Sequence, residues 1–191
     1  MLDFKSPKGF KPEGVGPRLI ASLLPFVGAA IAATVLWPGV TRFPPAGPSV
    51  LLGWVWLALG ILFWALSLLR FLPGFRRGEL VTGGTFGWCR HPIYASLLVF
   101  GLPAVGLLAR TWTFYAVAAV GWPLALTAVR REEAGLARVF GEQWTEYAAR
   151  TTALLPLPPG GKARRVLASI LWLAFALLLF YAGVLRAVRP G

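Results

Sequence analysis

Between Val50 and Leu72 the chain runs through Val-Leu-Leu-Gly-Trp-Val-Trp-Leu and onward with Arg70 as its only charge. A bilayer core takes about 20 such residues as helix, since a spanning segment must satisfy its own backbone hydrogen bonds. Four further apolar runs follow the same rule: Leu19 to about Leu36, Ile93 to Ala109, Trp112 to about Val129, and Val166 to about Leu185. The expectation is an all-α polytopic membrane protein of about five transmembrane helices. Residues 1–191 are read as one membrane-embedded domain. Only 14% of the residues are charged, where a soluble domain carries about a quarter.

The runs differ in how they end. Trp37-Pro38-Gly39 closes the first, and Pro73-Gly74 is expected to stop the second, so that the N-terminal spans occupy 19–72. Ala30-Ile31-Ala32 imitates a signal-peptidase site, but the apolar run continues past it, which argues against cleavage. Gly101, Pro103 and Gly106 interrupt the third run, and Arg110-Thr111 joins it tightly to the fourth. These two form a hairpin that either crosses fully or is re-entrant; both return the chain to one side. Beyond the fourth, Leu136, Val139, Phe140, Trp144 and Tyr147 recur at helical spacing, giving an amphipathic helix or helix pair over 130–149 at the membrane surface. A Pro/Gly-rich basic connector, 150–165, leads to the last span, 166–185.

The formal net charge of +12 does not indicate nucleic-acid binding, because the basic residues flank the apolar runs rather than forming a basic tail. With the N-terminus in the cytosol, fifteen lysines and arginines fall on the inside and four on the outside. That bias orients the chain. It places segments 75–92 and 130–165 together on the cytosolic face of an integral, multi-pass protein. The single histidine and single cysteine cannot build a tetrahedral zinc site or a di-histidine metal site, so no metal is expected.

Two polar clusters should meet on that face: Arg90-His91-Pro92-x-Tyr94 and Arg130-Arg131-Glu132-Glu133. Adjacent helices of a hairpin bring its ends together, and charges at a membrane edge are costly unless paired or facing a cavity. The set suits a zwitterionic or cationic ligand, with Arg90 or a helix N-terminus for a carboxylate and Glu132 or Glu133 for an ammonium. Taken singly, each residue has a plainer explanation. Arginines at helix ends set topology, tryptophans anchor at interfaces, Glu133 can make surface pairs, Cys89 is a reduced bystander, and a lone His91 is a structural hydrogen-bonder. The combination is what points to a site.

The pattern Leu80-Val81-Thr82-x-Gly84-x-Phe86-x-x-x-Arg90-His91-Pro92-x-Tyr94, then Glu132-Glu133-x-x-Leu136-x-x-x-Phe140-Gly141 with Tyr147 and Pro156, resembles the isoprenylcysteine carboxyl methyltransferase family. That family shares the pattern with membrane phospholipid N-methyltransferases. The match spans a core of 78–158. The resemblance implies S-adenosylmethionine as cofactor, held by Val81, Phe86, His91, Pro92, Ile93, Tyr94 and Glu132. It also implies a lipid-like acceptor entering from the bilayer and addressed by Arg130 and Glu133, with Arg90 beside them. Ser96 and Trp144 depart from the usual pattern, and the 166–185 span follows where relatives often end, which puts the substrate entrance in doubt rather than the cofactor.

Displacement of a methyl from a sulfonium needs alignment and exclusion of water but no metal. A carboxylate acceptor needs no base, whereas an amine would need one, with Glu133 or His91 as candidates. Two other readings stand beside this one. Sterol-type reductases carry a similar Arg-His-Pro-x-Tyr and bind NADPH, although this chain is much shorter, and a non-catalytic membrane scaffold protein could share the architecture. A chain without a long soluble extension suits a prokaryotic cytoplasmic membrane. The acceptor stays open among a prenylated cysteine, a phospholipid amine and a small apolar thiol or acid, and nothing in the sequence sets an oligomeric state.

Overall fold

The computed structural model describes residues 16–43 and 47–162, with 166, 167, 169, 170 and 173 beyond them. The expected span over 166–185 therefore lies mostly outside the described residues. Most of those described are helical. They form α1 (Gly16–Leu36), the single turn α2 (Pro38–Thr41), α3 (Gly47–Arg77), a short 3-10 turn (Gly84–Gly87), α4 (Pro92–Ala95), a π-helical turn (Ser96–Gly101), α5 (Leu102–Leu108), α6 (Thr113–Phe140) and α7 (Glu142–Arg150). Three are long and apolar enough to cross a membrane, over Gly16–Leu36, Ser49–Arg77 and Thr113–Phe140, and Pro92–Leu108 is a shorter apolar helix. This is the architecture of a polytopic α-helical membrane protein.

The core lies where α1, the π turn with α5, and α6 meet. Leu19, Leu23 and Ala30 pack against Leu98, Leu102, Phe114, Val117, Ala125 and Val129, and Leu154 closes the cluster at one end. The outward faces stay apolar: Ile20, Leu24, Ile31 and Val35 on α1 and Leu51, Trp54, Leu62 and Leu69 on α3 are exposed. In water such faces would be a liability. In lipid they need no partner.

Pro73-Gly74 does not stop the second span. α3 passes through Pro73, the one lost N–H bond being tolerable beside the rest of a long helix, and ends four residues later. The stop is Gly78, with φ 68°. Its N–H donates to the Phe75 carbonyl at 3.1 Å and that of Glu79 to the Gly74 carbonyl at 3.0 Å. This pair of bonds is the Schellman motif, whose left-handed residue strongly favours glycine. Gly74 has a different task. A Cβ there would lie 2.3 Å from Val81 Cγ2, so its bareness lets the chain fold back across the helix end.

Nor do Gly101, Pro103 and Gly106 break the third run. Pro92–Leu108 is continuous. At 17 residues it spans about 26 Å, short of a hydrocarbon core of about 30 Å. Pro103 lacks the N–H that would serve the Val99 carbonyl, and the Trp56 indole N–H donates to that carbonyl instead, at 2.9 Å. The π turn absorbs the remaining irregularity, the Leu102 N–H reaching back five residues to Leu97. The loop to α6 is braced from the first helical pair: Thr111 Oγ1 donates to the Thr41 carbonyl at 2.9 Å, and the hydroxyls of Thr34, Thr111 and Thr113 lie within 3.2 Å of one another. α6 then runs on past Val129 to Phe140, and Gly141 turns the chain into α7, as the expected helix pair.

Candidate active site

The fold-back after Gly78 delivers residues 79–91 to the end of α6. Thr85 is buried and hydrogen-bonded to Ser67 of α3 at 2.9 Å. Phe86 stacks on Phe71 at 6.2 Å between ring centres, and Phe71 on Phe75 at 5.3 Å. Residues 88–91 are then pinned to the segment after α7. The Arg90 N–H donates to the Thr152 carbonyl at 2.8 Å, that of His91 to Ala153 at 3.0 Å, and that of Leu157 to Trp88 at 3.1 Å. Pro92 opens α4 at its first turn, where a missing N–H costs nothing.

Between these pieces lies a cavity of about 260 Å³, slightly under the usual range of about 300–1,000 Å³ for small-molecule sites. All seven residues expected to hold a cofactor line it: Val81, Phe86, His91, Pro92, Ile93, Tyr94 and Glu132. Arg90 lines it as well. Glu133 and Arg130 do not; Glu133 stands behind His91, and Arg130 is exposed on α6. The apolar face of the expected amphipathic helix pair borders the cavity. Leu136, Val139, Phe140, Trp144 and Tyr147 wall the cavity, and the last two are buried. Sequence reasoning saw that face but not its destination.

Phe71, Phe75 and Glu79 also line the cavity and went unsingled in the sequence. The two phenylalanines sit one turn apart at the end of an apolar helix, where nothing distinguishes them from lipid-facing residues. Glu79 had one available signal: it immediately follows the helix-stopping glycine.

The polar groups are ordered by charge. Arg90 Nε donates to Glu133 Oε1 at 2.7 Å, and His91 Nε2 lies 3.2 Å from the same oxygen. Glu79 is paired with Arg77 at 2.8 Å. Glu132 differs. Tyr94 donates to its Oε2 at 3.0 Å and His91 Nδ1 lies 3.9 Å away, but among the described residues no arginine or lysine comes within ion-pair reach. The His91 and Tyr94 rings stack at 5.7 Å with 7° between planes, which fixes both against the carboxylate. The site therefore offers one carboxylate that has no arginine or lysine partner among the described residues, framed by aromatic rings. Such a site favours a cation that can lie against π faces. Cys89 takes no visible part: it is fully buried, and burial pushes its thiol up to about 12.

No family model matches the chain. Among curated proteins it is 34% identical over 121 residues to a cobalt-zinc-cadmium resistance protein of Cupriavidus metallidurans, covering 63% of this chain and 53% of that protein. It is 37% identical over 87 residues to a nickel-cobalt-cadmium resistance protein of Alcaligenes xylosoxydans xylosoxydans, covering 45% and 40% respectively. It is 30% identical over 83 residues to the protein-S-isoprenylcysteine O-methyltransferase of Mus musculus, covering 44% of this chain and 29% of that enzyme. The chain thus spans about half the length of the first relative and less of the other two. The resemblance read from its motifs holds: over the shared stretch this chain is similar to isoprenylcysteine O-methyltransferases, at 30% identity to that of Mus musculus and 32% to one of Arabidopsis thaliana.

Proposed function

We propose that this chain is an integral membrane methyltransferase that takes S-adenosylmethionine as donor and a lipophilic molecule as acceptor, working at the cytosolic face of a prokaryotic membrane. The observation that carries the reading is Glu132, a carboxylate with no cationic partner among the described residues, set in an aromatic-walled cavity lined by the seven residues the motif implies. A sulfonium with an amino-acid tail and a flat purine fits that chemistry. Bound there, S-adenosylmethionine would supply an electrophilic methyl group.

The chain's own contribution is recognition and dryness. Glu132 attracts and orients positive charge, and Tyr94 and His91 hold its carboxylate in place. Phe71, Phe86 and Trp144 exclude water, which would otherwise screen that attraction. An acceptor has its own route. A second hollow of about 310 Å³, walled by Leu19, Ile20, Leu57, Ile61, Trp64 and Leu97, opens between α1 and α3 and shares Gly16, Ile93 and Tyr94 with the first. An apolar tail lying there would bring its polar head to the cavity. An amine head would need a proton acceptor, and His91, backed by Glu133, is placed to serve; Arg130 would act on the acceptor from outside the cavity wall.

Two relatives are named for metal resistance; among the described residues no group of three His, Cys, Asp or Glu side chains is gathered for a metal ion. The test is incubation of membranes holding the full chain with methyl-labelled donor, followed by mass spectrometry of the lipid extract. A labelled product that depends on the chain and disappears in Glu132→Gln is expected. NADPH oxidation with no labelled product would favour the reductase reading instead.

A further inference from the structure

Arg90 is expected from sequence to meet a ligand, yet its guanidinium is already occupied. Nε pairs with Glu133 of α6. Nη1 donates to the carbonyl of Ala148 at 3.0 Å and to that of Thr151, at the C-terminal end of α7. These carbonyls lack helical partners, and a cation there also complements the helix dipole. The guanidinium carbon lies 6.0 Å from the centre of the Trp144 ring.

The joint at the other end of α7 is a glycine with only local backbone bonds, to Ala137 and from Thr145. Gly141 has φ 53° and ψ −121°, and a Cβ built there would meet nothing within 4 Å. Tyr147 donates to the Phe86 carbonyl at 2.8 Å, residues 152 and 153 pair with 90 and 91, and Arg90 bonds α6 and the last turn of α7 at once.

We propose that Arg90 is a positioning residue: it clamps the end of α7 to Glu133 and thereby holds Trp144 and Tyr147 as the closed wall of the cavity. The inference rests on the donor-site reading only for its ligand arm. Arginine holds Glu133 through Nε and the two carbonyls through Nη1, whereas the single ammonium of a lysine cannot reach Glu133 and the carbonyls from two separate nitrogens.

Amide hydrogen exchange on the full chain in detergent, without ligand, tests the clamp. Arg90→Lys should speed exchange across 142–150 by about tenfold while α1 and α3 keep wild-type rates. Glu133→Gln, which keeps the carbonyl bonds, should loosen α7 less. Saturating S-adenosylhomocysteine should restore protection in Arg90→Lys, at an affinity about tenfold weaker than wild type. In a double-mutant cycle, Arg90→Lys should add under about twofold to the affinity loss of Trp144→Leu, because the wall it positions is already gone. Wild-type exchange of α7 in Arg90→Lys would overturn the proposal. So would weakened binding with unchanged exchange, or full additivity in the cycle, since Arg90 would then touch the ligand directly. If the wild-type chain fails to bind S-adenosylhomocysteine, the donor reading falls while the ligand-free comparison still decides the clamp.

Discussion

Glu132 and Glu133 are adjacent in sequence and opposite in role. One faces the cavity, where Tyr94 and His91 are its partners among the described residues; the other is bound to Arg90 and His91 behind the wall. Helical geometry turns successive side chains by about 100°, so a cavity at the end of a helix can use only one of such a pair. Glu132→Gln should weaken S-adenosylhomocysteine binding by about 10-fold or more, the scale of losing a hydrogen bond to a charged group. Tyr94→Phe, which removes a neutral donor, should cost about fivefold; calorimetry distinguishes the two. The residue types of the site were legible in the sequence, because polar groups between apolar runs stand out. Their partners were not: nothing in Arg90-His91-Pro92 says that Arg90 is spent on carbonyls some 60 residues away. Cys89 supplies a separate check. With its thiol held near 12 by burial, a thiolate-selective alkylating reagent should leave it unmodified at pH 8 in the folded chain and label it on unfolding.

At the scale of elements, the glycines of the Pro73–Gly78 stretch carry the fold-back that makes the cavity. Gly74→Ala forces a Cβ to within 2.3 Å of Val81 Cγ2 and should cost about 1–3 kcal/mol. Gly135→Ala, in α6 with nothing within 4 Å, should instead stabilise by about 0.5–1 kcal/mol through helix propensity. Thermal unfolding in one detergent compares them directly. A swap of signs between the two variants would mean the fold-back is not held as described. The long spans were readable because a sustained apolar run has few solutions in a bilayer. The helix stop was misread at Pro73-Gly74 because a proline signal is local, whereas the bond pair that ends α3 depends on the left-handed geometry of Gly78. The destination of the 136–147 apolar face was equally hidden, since periodicity defines a face but not what it meets.

At the scale of the whole molecule, the described helices divide the labour. α1 and α3 present apolar surface outward, while α6 and α7 with the 79–91 segment and Phe71 and Phe75 of α3 build a largely apolar pocket around Arg90, His91 and Glu132 at one end. The central claim is that this pocket takes a methyl donor. The direct measurement is titration calorimetry of the purified full chain with S-adenosylhomocysteine and, separately, with NADPH. The account predicts saturable heat at one site per chain for S-adenosylhomocysteine and none for NADPH. Heat from NADPH with none from S-adenosylhomocysteine would contradict it.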